Sequence, residues 1–281
     1  MTRPSTAAEY LPDWSRRVEA TCLYVASKLG DLMDEIVIVG GYAPQLMIPQ
    51  DAIEDAANRH VGTADLDLGL GIGILNQERY KEISERLRAV GFEPDHNKDG
   101  NLTRQRWVVN VGAEEVRVDF LIEPADEDAR GGEIQNLEGD FAAVVVPGLH
   151  LAFRDRMPFV LEGKTIHGER ATRRVQVCGP GAFTVLKTLA FSQRGENKDA
   201  YDLFYVASQY GDGPADVARH LREISDDPLT EKVVETHRSD FGTHDSLGQM
   251  RVAEFLGDRT DEAIRADVVG TMKLLVMEYR G

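Results

Sequence analysis

Apolar residues recur at helical spacing near the start of the chain. They are Leu11, Trp14, Val18, Cys22, Val25 and Leu29. Steps of three or four residues place them on one face of a helix, which we predict over residues 7–29 with Gly30 at its end. A β-branched run at residues 35–39 follows and is closed by Gly40 and Gly41. Such a run is typical of a short buried strand.

The pattern stays mixed up to about residue 180. Apolar and polar residues alternate at 64–70 and 115–122, and residues 104–110 contain the run Trp107-Val-Val109. We predict three strands here, the last two joined by a turn at Gly112 and Ala113. Asn76 is expected to cap a helix that ends at Gly91. We predict further strands at 142–146 and 175–178, another candidate strand at 164–167, and the start of a second helix at 42–47. Residues 48–62 are expected to form a loop or a partly helical insertion, and residues 126–139 a surface loop.

Helical patterns dominate after Pro180. Gly213-Pro214 and Asp227-Pro228 are expected helix starts, because proline is favoured at the first helical position. Thr260 is expected to open a last helix that runs through Tyr279. We therefore predict an α/β (α+β) fold, with a mixed-sheet domain over residues 1–179 and a helical domain over residues 180–281.

The net charge of the chain restricts the kinds of partner that it can bind. The 281 residues carry a formal net charge of −16, which argues against a broad nucleic-acid-binding surface but is compatible with a small basic site on an acidic body. The sequence has no apolar run of membrane-spanning length and no signal-peptide pattern at its start. Cys22 and Cys178 are expected to be small buried residues in a reducing, cytoplasmic compartment.

Two carboxylates at residues 65 and 67 are the first candidates for chemistry. The segment reads Thr63-Ala-Asp-Leu-Asp-Leu68, and alternate side chains of a strand face the same way. Asp65 and Asp67 would then share one face, where their repulsion needs an offset such as a divalent cation. Two solvated carboxylates without a ligand are the simpler interpretation of this short motif taken alone.

A third carboxylate, Asp119, lies in another predicted strand, whose apolar face is Val116, Val118, Phe120 and Ile122. Pairing of the two strands would bring Asp119 beside Asp65 and Asp67. Three carboxylates can hold two divalent ions, one for the attacking hydroxyl and one for the leaving pyrophosphate. The alternative is that Asp119 acts mainly as base for the acceptor hydroxyl.

Gly40, Gly41 and Tyr42 connect the first strand to a helix. Glycines there allow backbone N–H groups to approach a phosphate at the positive end of the helix. A tight turn without a ligand explains the glycines equally well. The segment is not a P-loop, because neither Lys-Ser nor Lys-Thr follows.

A charged stretch marks the helical half. Steps of four, three, four and four residues separate Lys187, Phe191, Arg194, Lys198 and Asp202. These residues share a face if the helix continues past Gly195, with Leu186, Leu189, Ala190 and Leu203 toward the core. The basic side chains can hold triphosphate oxygens, and Asp199 and Asp202 can orient those cations or the nucleotide. A solvated, salt-bridged helix face is the alternative.

The order of these motifs resembles the AbiEii-type (MenT-like) nucleotidyltransferases of the DNA polymerase beta superfamily. The resemblance covers roughly residues 35–205, and its most specific part is Lys187-x-x-Ala190-x-x-x-Arg194 followed by Lys198-Asp199-x-x-Asp202-Leu203. It implies a transferase that moves NMP from an NTP to an acceptor hydroxyl with Mg²⁺ or Mn²⁺. Members are often toxins of toxin–antitoxin or phage-defence systems, and some modify tRNA. The implied partners are therefore an NTP, a tRNA, protein or small-molecule acceptor, and a cognate antitoxin.

The resemblance also implies roles for individual residues. The metal ligands would be Asp65 and Asp67, to which superfamily logic adds Asp119. The nucleotide would be bound by Gly40, Gly41, Tyr42, Lys187, Arg194 and Lys198. The residues expected to serve catalysis are Asp65, Asp67, Asp119, Lys187, Asp199 and Asp202.

Two departures from the family motivate a different hypothesis. Tyr42 stands where a small hydroxyl residue is common, and 23 residues, from Tyr42 to Ala64, separate Gly41 from Asp65, which is longer than usual. The alternative is a non-catalytic nucleotide- or partner-binding protein on the same fold. A metal-dependent phosphohydrolase has less support, because the histidines show no ligand spacing. They are His60, His96, His150, His167, His220, His237 and His244.

Overall fold

The computed structural model describes residues 4–71, 77–111, 114–125 and 130–281. The predicted cap at Asn76 and the predicted turn at Gly112-Ala113 lie outside these residues. Contacts divide the chain into two compact units. The sheet unit comprises Asp13–Ala43 and Thr63–Cys178, and the helical unit comprises residues 4–12, Pro44–Gly62 and Gly179–Gly281. Units defined by contacts need not fold independently, so the domains at 1–179 and 180–281 stay a prediction.

Nine strands and ten helices in the described residues confirm the predicted α/β fold class. The strands are β1 (Ile36–Val39), β2 (Asp65–Leu70), β3 (Glu93–His96), β4 (Leu102–Val111), β5 (Glu114–Ile122), β6 (Ile134–Glu138), β7 (Phe141–Val145), β8 (Arg156–Lys164) and β9 (Arg170–Cys178). The helices are α1 (Pro12–Leu29), α2 (Ala43–Met47), α3 (Gln77–Arg88), α4 (Leu151–Arg154), α5 (Pro180–Arg194), α6 (Asn197–Gln209), α7 (Pro214–Glu223), α8 (Pro228–Asp240), α9 (Leu247–Leu256) and α10 (Glu262–Arg280). No helix in the described ranges is long and apolar enough to cross a membrane.

The described strands form one mixed sheet, whose main path has the order β3-β4-β5-β2-β1-β9-β8, with β7 pairing β5 and β6. Strand β1 pairs antiparallel with β2 and parallel with β9, whereas β2 and β5 are parallel. Strand β2 is therefore held by a hydrogen-bonded neighbour on each side. Side chains on β2 consequently have little freedom to shift with their backbone.

Helix α1 covers one face of this sheet. The strand registers place Leu68, Ile38 and Val177 on the same face, together with Gly163 of β8. A Cβ on Gly163 would lie 3.9 Å from Leu23 of α1, so the helix packs on that face. The apolar spacing that predicts this helix is thus explained by burial against the sheet.

The helices that follow residue 179 begin where the sequence predicts them. Pro180 starts α5, and Pro214 and Pro228 stand at the first positions of α7 and α8. The last helix is capped by Asp261, whose side chain accepts from the backbone of Ala263 and Ile264. Aromatic pairs fill the interior of the helical unit, including Phe191 with Phe241 at 5.5 Å and Tyr201 with Phe255 at 4.8 Å between ring centroids.

Three strands were not predicted, and each lies at the periphery of the sheet. β3 and β8 end the main path, and β6 lies within the segment predicted as a loop at 126–139, of which residues 126–129 fall outside the described ranges. The candidate strand at 164–167 was wrong, because β8 ends at Lys164 and a turn follows. β8 was not predicted because two of its exposed positions, Pro158 and Val160, are apolar, whereas a position on its other face is Gly163. This arrangement hides the alternation of apolar and polar residues.

Candidate functional site

Three carboxylates lie side by side on neighbouring strands of the sheet unit. The parallel pairing of β2 with β5 sets Asp67 opposite Asp119 and Asp65 opposite Arg117. Leu66 and Leu68, on the other face of β2, have no exposed surface. The structure therefore brings Asp65, Asp67 and Asp119 onto one face, and we refer to them as the carboxylate cluster.

The glycine turn packs directly on this cluster. Gly40 has a φ of +68°, a left-handed conformation that favours glycine. A Cβ at Gly40 would lie only 1.8 Å from Asp67 Oδ2, and one at Gly41 would lie 2.9 Å from Thr63 Oγ1. The Thr63 hydroxyl donates in turn to Asp65 Oδ1 at 2.8 Å. The turn thus fits around both aspartates because it carries no side chain at either glycine.

Tyr42 is placed differently from the glycines. Its side chain is 2% exposed, and burial raises the pKa of its hydroxyl well above the ordinary value. The sequence-predicted contribution of Tyr42 to nucleotide binding therefore reduces to its backbone N–H group.

Arg106 of β4 is bound to the third carboxylate. Its Nε donates to Asp119 Oδ1 and its Nη2 to Asp119 Oδ2, both at 2.6 Å. These hydrogen bonds, together with the charges of Asp119, Asp65 and Asp67, raise the pKa of Arg106 further above its usual range against the effect of burial. A bidentate pair of this kind is both strong and geometrically specific.

The later predicted residues form a second group, within the helical unit. Lys187 Nζ lies 3.0 Å from Asp199 Oδ1 and 2.9 Å from Asp202 Oδ2. Arg194 donates to both oxygens of Asp199, at 2.5 Å and 2.7 Å, and Lys198 Nζ donates to Asp202 Oδ1. We refer to these five residues as the ion-pair network.

Both aspartates and Lys187 of the network are buried and hold one another ionised, whereas burial lowers the pKa of Lys198 and Arg194 is exposed. Asp199 and Asp202 are 1% and 0% exposed. Burial alone would raise the pKa of both carboxyls, but the charge of Lys187 and its basic neighbours holds each pKa below its usual range. Burial likewise opposes the ionisation of Lys187, yet the two carboxylates raise its pKa. Three basic side chains share two carboxylates, so the network has one basic group in excess.

A comparison with protein families decides the assignment of the chain. A family model described as nucleotidyltransferase matches residues 21–207, which is more than half of the sequence. The chain belongs to the nucleotidyltransferase family. No match is found among individual curated proteins. The matched segment contains both the carboxylate cluster and the ion-pair network.

The nucleotidyltransferase presents oxygen ligands that suit Mg²⁺. In proteins this ion is commonly held by one or two carboxylates, with water and substrate phosphates completing its octahedral shell. Asp65 and Asp67 are half-buried and fixed by the glycine turn and Thr63, whereas Asp119 is engaged by Arg106. Within the described ranges, no group of three or more His, Cys, Asp or Glu side chains is arranged to hold a metal ion. The residues therefore fit a site with two protein carboxylates.

His60 is a buried neighbour of the ion-pair network that sequence reasoning missed. It lies in the 44–62 segment, has a fully buried side chain, and sits 2.9 Å from Asp202 Oδ1 through Nε2. The backbone N–H of Gly62 donates to its Nδ1 at 3.2 Å, so Nδ1 carries no proton and Nε2 donates to Asp202. Burial, and then the charge of Lys198, lower the pKa of His60 to about 4. His60 therefore acts as a neutral hydrogen-bond donor that orients Asp202.

The 44–62 segment is anchored around His60 by tyrosines of α6. The His60 ring lies 5.5 Å from the Tyr201 ring, and the Tyr201 hydroxyl accepts from the backbone N–H of Val61 at 3.3 Å. The Tyr205 hydroxyl donates to Gln50 Oε1 at 3.1 Å. No local sequence signal marks these contacts, since they join positions about half the chain apart.

The predicted orientation of α5 was wrong. Gly195 adopts a φ of +64° and ends the helix, so the charged face does not continue unbroken into α6. Lys187, Thr188 and Phe191 are buried, whereas Leu186, Leu189 and Ala190 are half-buried. The charge of Lys187 is tolerated inside because Asp199 and Asp202 pair with it, which apolar periodicity alone does not reveal.

Proposed function

We propose that this nucleotidyltransferase transfers NMP from an NTP to an acceptor hydroxyl and depends on Mg²⁺ or Mn²⁺. The observation that carries the proposal is the carboxylate cluster, with two aspartates on one face of an internal strand and a glycine backbone packed on one of them. In this proposal Asp65 and Asp67 hold the metal. When bound, the ion supplies Lewis-acid activation of the phosphoryl group and neutralises the charge of the leaving pyrophosphate.

Asp119 serves in this proposal as the third metal ligand or as the base for the acceptor hydroxyl. Arg106 holds both of its oxygens in place. The Arg106 guanidinium also offsets the repulsion among the three aspartates. Backbone N–H groups at Gly40, Gly41 and Tyr42 would donate to a phosphate, as turns at helix starts do.

The ion-pair network is proposed to bind phosphate oxygens of the nucleotide. Its three basic side chains support this role, because lysine and arginine form charge-assisted hydrogen bonds with phosphate oxygens. Arg194, with 40% of its side chain exposed, would contact the phosphate directly, together with Lys187 and Lys198. Asp199 and Asp202 would fix the directions of these cations.

The finer assignment follows the sequence motifs. We propose an AbiEii-type (MenT-like) cytoplasmic enzyme, with tRNA, a protein or a small molecule as acceptor and with a toxin role alongside a cognate antitoxin. One observation favours the non-catalytic alternative, in which nucleotide is bound without turnover. Both oxygens of Asp119 are already engaged by Arg106, which leaves Asp65 and Asp67, rather than all three aspartates, to hold a metal.

A transfer assay tests the proposal. The protein is incubated with each α-phosphate-labelled NTP and total cellular RNA, with Mg²⁺, with Mn²⁺, or with a chelator. Label should move to an acceptor only with metal, and Asp65→Asn and Asp67→Asn should lower the rate more than about 100-fold, since each removes a charged ligand. Mn²⁺ binding measured by EPR should weaken in the same variants.

Asp99→Asn is the matched control, because it makes the same change in the exposed turn between β3 and β4. Its rate and Mn²⁺ affinity should equal those of the wild type. Full turnover by Asp65→Asn would overturn the metal assignment. Nucleotide binding without transfer to RNA, protein or added small hydroxyl compounds would instead establish the non-catalytic alternative.

A further inference from the structure

A basic face runs along the hairpin of β8 and β9. The register of this antiparallel pair sets Val160 opposite Arg174 and Lys164 opposite Arg170. Residues paired in this way point to the same side of the sheet. Four exposed cations share that side with one exposed carboxylate, Glu162, and we refer to the cations as the basic face: Arg156, Lys164, Arg170 and Arg174.

These cations lack carboxylate partners although the chain is acidic. The sequence has 48 acidic and 32 basic residues, so most cations have carboxylates to pair with. Within the described ranges, the side chains of Lys164, Arg170 and Arg174 make no ion pair or hydrogen bond. Arg156 donates only to the backbone carbonyl of Asp34 at 3.4 Å and lies over the Phe153 ring. The basic face is therefore a local exception to the charge of the protein.

Protection of the sheet edge does not explain this exception. β8 ends the main path of the sheet, and charged residues on an edge strand prevent pairing with other chains. Arg170 and Arg174 precede the residues of β9 that pair with β1, Gln176 and Val177, so the same reason applies to a charge at these positions. It applies to charges of either sign, however, and does not select cations.

The basic face lies on the same side of the sheet as the carboxylate cluster. Asp67 is opposite Val39 of β1, and Val37, two residues earlier and on the same side, is level with Gln176 of β9. Gln176 shares its side with Arg174 and Arg170 because side chains alternate along a strand. Helix α1 covers the opposite side, where Leu23 approaches Gly163. The cations and the aspartates thus lie on the same side of the sheet, separated by the buried side chains of Val37, Val39 and Cys178.

The strand register also gives the distance from Asp67 to the basic face and the direction in which the face runs. Val39 is level with Cys178, which pairs with Arg156, so Arg156 lies three strands from Asp67, or about 14 Å at the usual strand spacing. The basic face extends from Arg156 to Lys164 over eight residue steps, which correspond to about 26 Å. In backbone register its Arg156 end is therefore the nearer to Asp67, while the Arg156 guanidinium itself is directed to the carbonyl of Asp34, ahead of β1.

We propose that the basic face binds the sugar-phosphate backbone of a nucleic-acid strand whose hydroxyl is the acceptor. This inference rests on the proposed transferase function. A linear polyanion fits the arrangement, since a strand carries about one charge per 3.4 Å of its length. A protein partner fits less well, because Pro158 and Val160 are the apolar residues of this face and stable protein interfaces need an apolar anchor cluster.

Strand binding is tested without NTP or divalent metal, so that its outcome does not depend on catalysis. Fluorescence anisotropy with a labelled single-stranded RNA, and with DNA of the same sequence, is measured over a salt series. Three to four backbone contacts predict a slope of log K against log salt of about −2 to −3. Arg170→Gln and Arg174→Gln should each weaken binding several-fold at low salt and reduce the slope by about 0.7.

Arg173→Gln is the matched control. Arg173 lies between these two residues in sequence, is also exposed, and pairs with Leu161 on the other side of the hairpin. It should bind like the wild type, as should Asp65→Asn, whose failure in transfer would concern the proposed function alone. In transfer assays Arg170→Gln should raise KM for the strand and leave kcat unchanged.

Two results would overturn the inference. One is an equal loss of binding in Arg170→Gln, Arg174→Gln and Arg173→Gln, which would indicate an unspecific charge effect. The other is binding of a poly-glutamate peptide with the same dependence on Arg170 and Arg174 while RNA and DNA bind without it, which would assign the face to an acidic protein.

Discussion

Replacing Gly40 with alanine would put a methyl group where the Asp67 carboxylate lies. The added Cβ would be 1.8 Å from Oδ2, 2.7 Å from Cγ and 2.9 Å from the Cβ of Asp67. Normal carbon contacts are about 3.5 Å or longer, so the carboxylate must move by more than about 1 Å. The Asp67 backbone is held by Val39 on one side and Asp119 on the other, so the displacement falls on its side chain.

Two costs follow from this geometry. The left-handed φ of +68° adds about 1–2 kcal/mol of backbone strain for alanine. A displacement of about 1 Å in a reacting group can cost about 100-fold in rate. We therefore expect Gly40→Ala to remain folded, with a modest loss in the free energy of unfolding, and to lose about 100-fold in kcat/KM and much of its Mn²⁺ affinity.

Gly100→Ala separates the two costs. Gly100 also has a positive φ, +80°, but a Cβ there would meet nothing within 4 Å. Urea unfolding should show a similar destabilisation for both variants, while transfer and Mn²⁺ binding fall only in Gly40→Ala. Wild-type transfer by Gly40→Ala would refute the reasoning, because Asp67 would then function from a displaced position or not function at all.

Two further predictions concern the helical unit. Burial lowers the pKa of His60 and His237 to about 4 from the ordinary value of 6.5. The unfolded chain therefore binds more protons than the folded chain below pH 6.5. Urea unfolding should show full stability above that pH and a loss of about 3 kcal/mol per histidine as the pH falls to 4. A stability profile that is flat over this window, or one that His60→Gln leaves unchanged, would contradict this prediction. Lys187→Met should lower the free energy of unfolding by about 3–5 kcal/mol, because it removes a cation that pairs with two buried carboxylates. Lys232→Met, at an exposed lysine of α8, should change it by less than about 0.5 kcal/mol. Similar losses in both variants would show that burial of the charge is unimportant.

The central strands could be predicted because the residues of each strand alone show which of its faces are buried. β1 is buried at all four positions and reads as a β-branched run, and the alternation in β2 and β5 follows from having one apolar face each. Peripheral strands such as β3 and β6 have little burial to encode, so no strong alternation marks them. The helix starts at Pro214 and Pro228 were predictable because proline acts locally, through its fixed φ and missing N–H.

The candidate site was predictable where it depends on a local pattern and not where it depends on contacts between distant parts of the chain. The shared face of Asp65 and Asp67 follows from the two-residue period of any strand. The contact of Asp119 with Arg106 depends on the register between β4 and β5, which composition does not specify. His60 and Asp202 are separated by 142 positions, and a single histidine in an irregular segment carries no periodic signal.

The chain path of the helical unit has a consequence for synthesis on the ribosome. Residues 44–62 belong to this unit, yet their partners in α6 are made only after the whole of Thr63–Cys178. Translation proceeds at about 5–20 residues per second, so on the order of 10 seconds pass between synthesis of this segment and synthesis of Tyr201, Asp202 and Tyr205. During that interval His60 is exposed to water and free to bind protons or other proteins. The nascent protein therefore remains vulnerable at this segment until its last third has been translated.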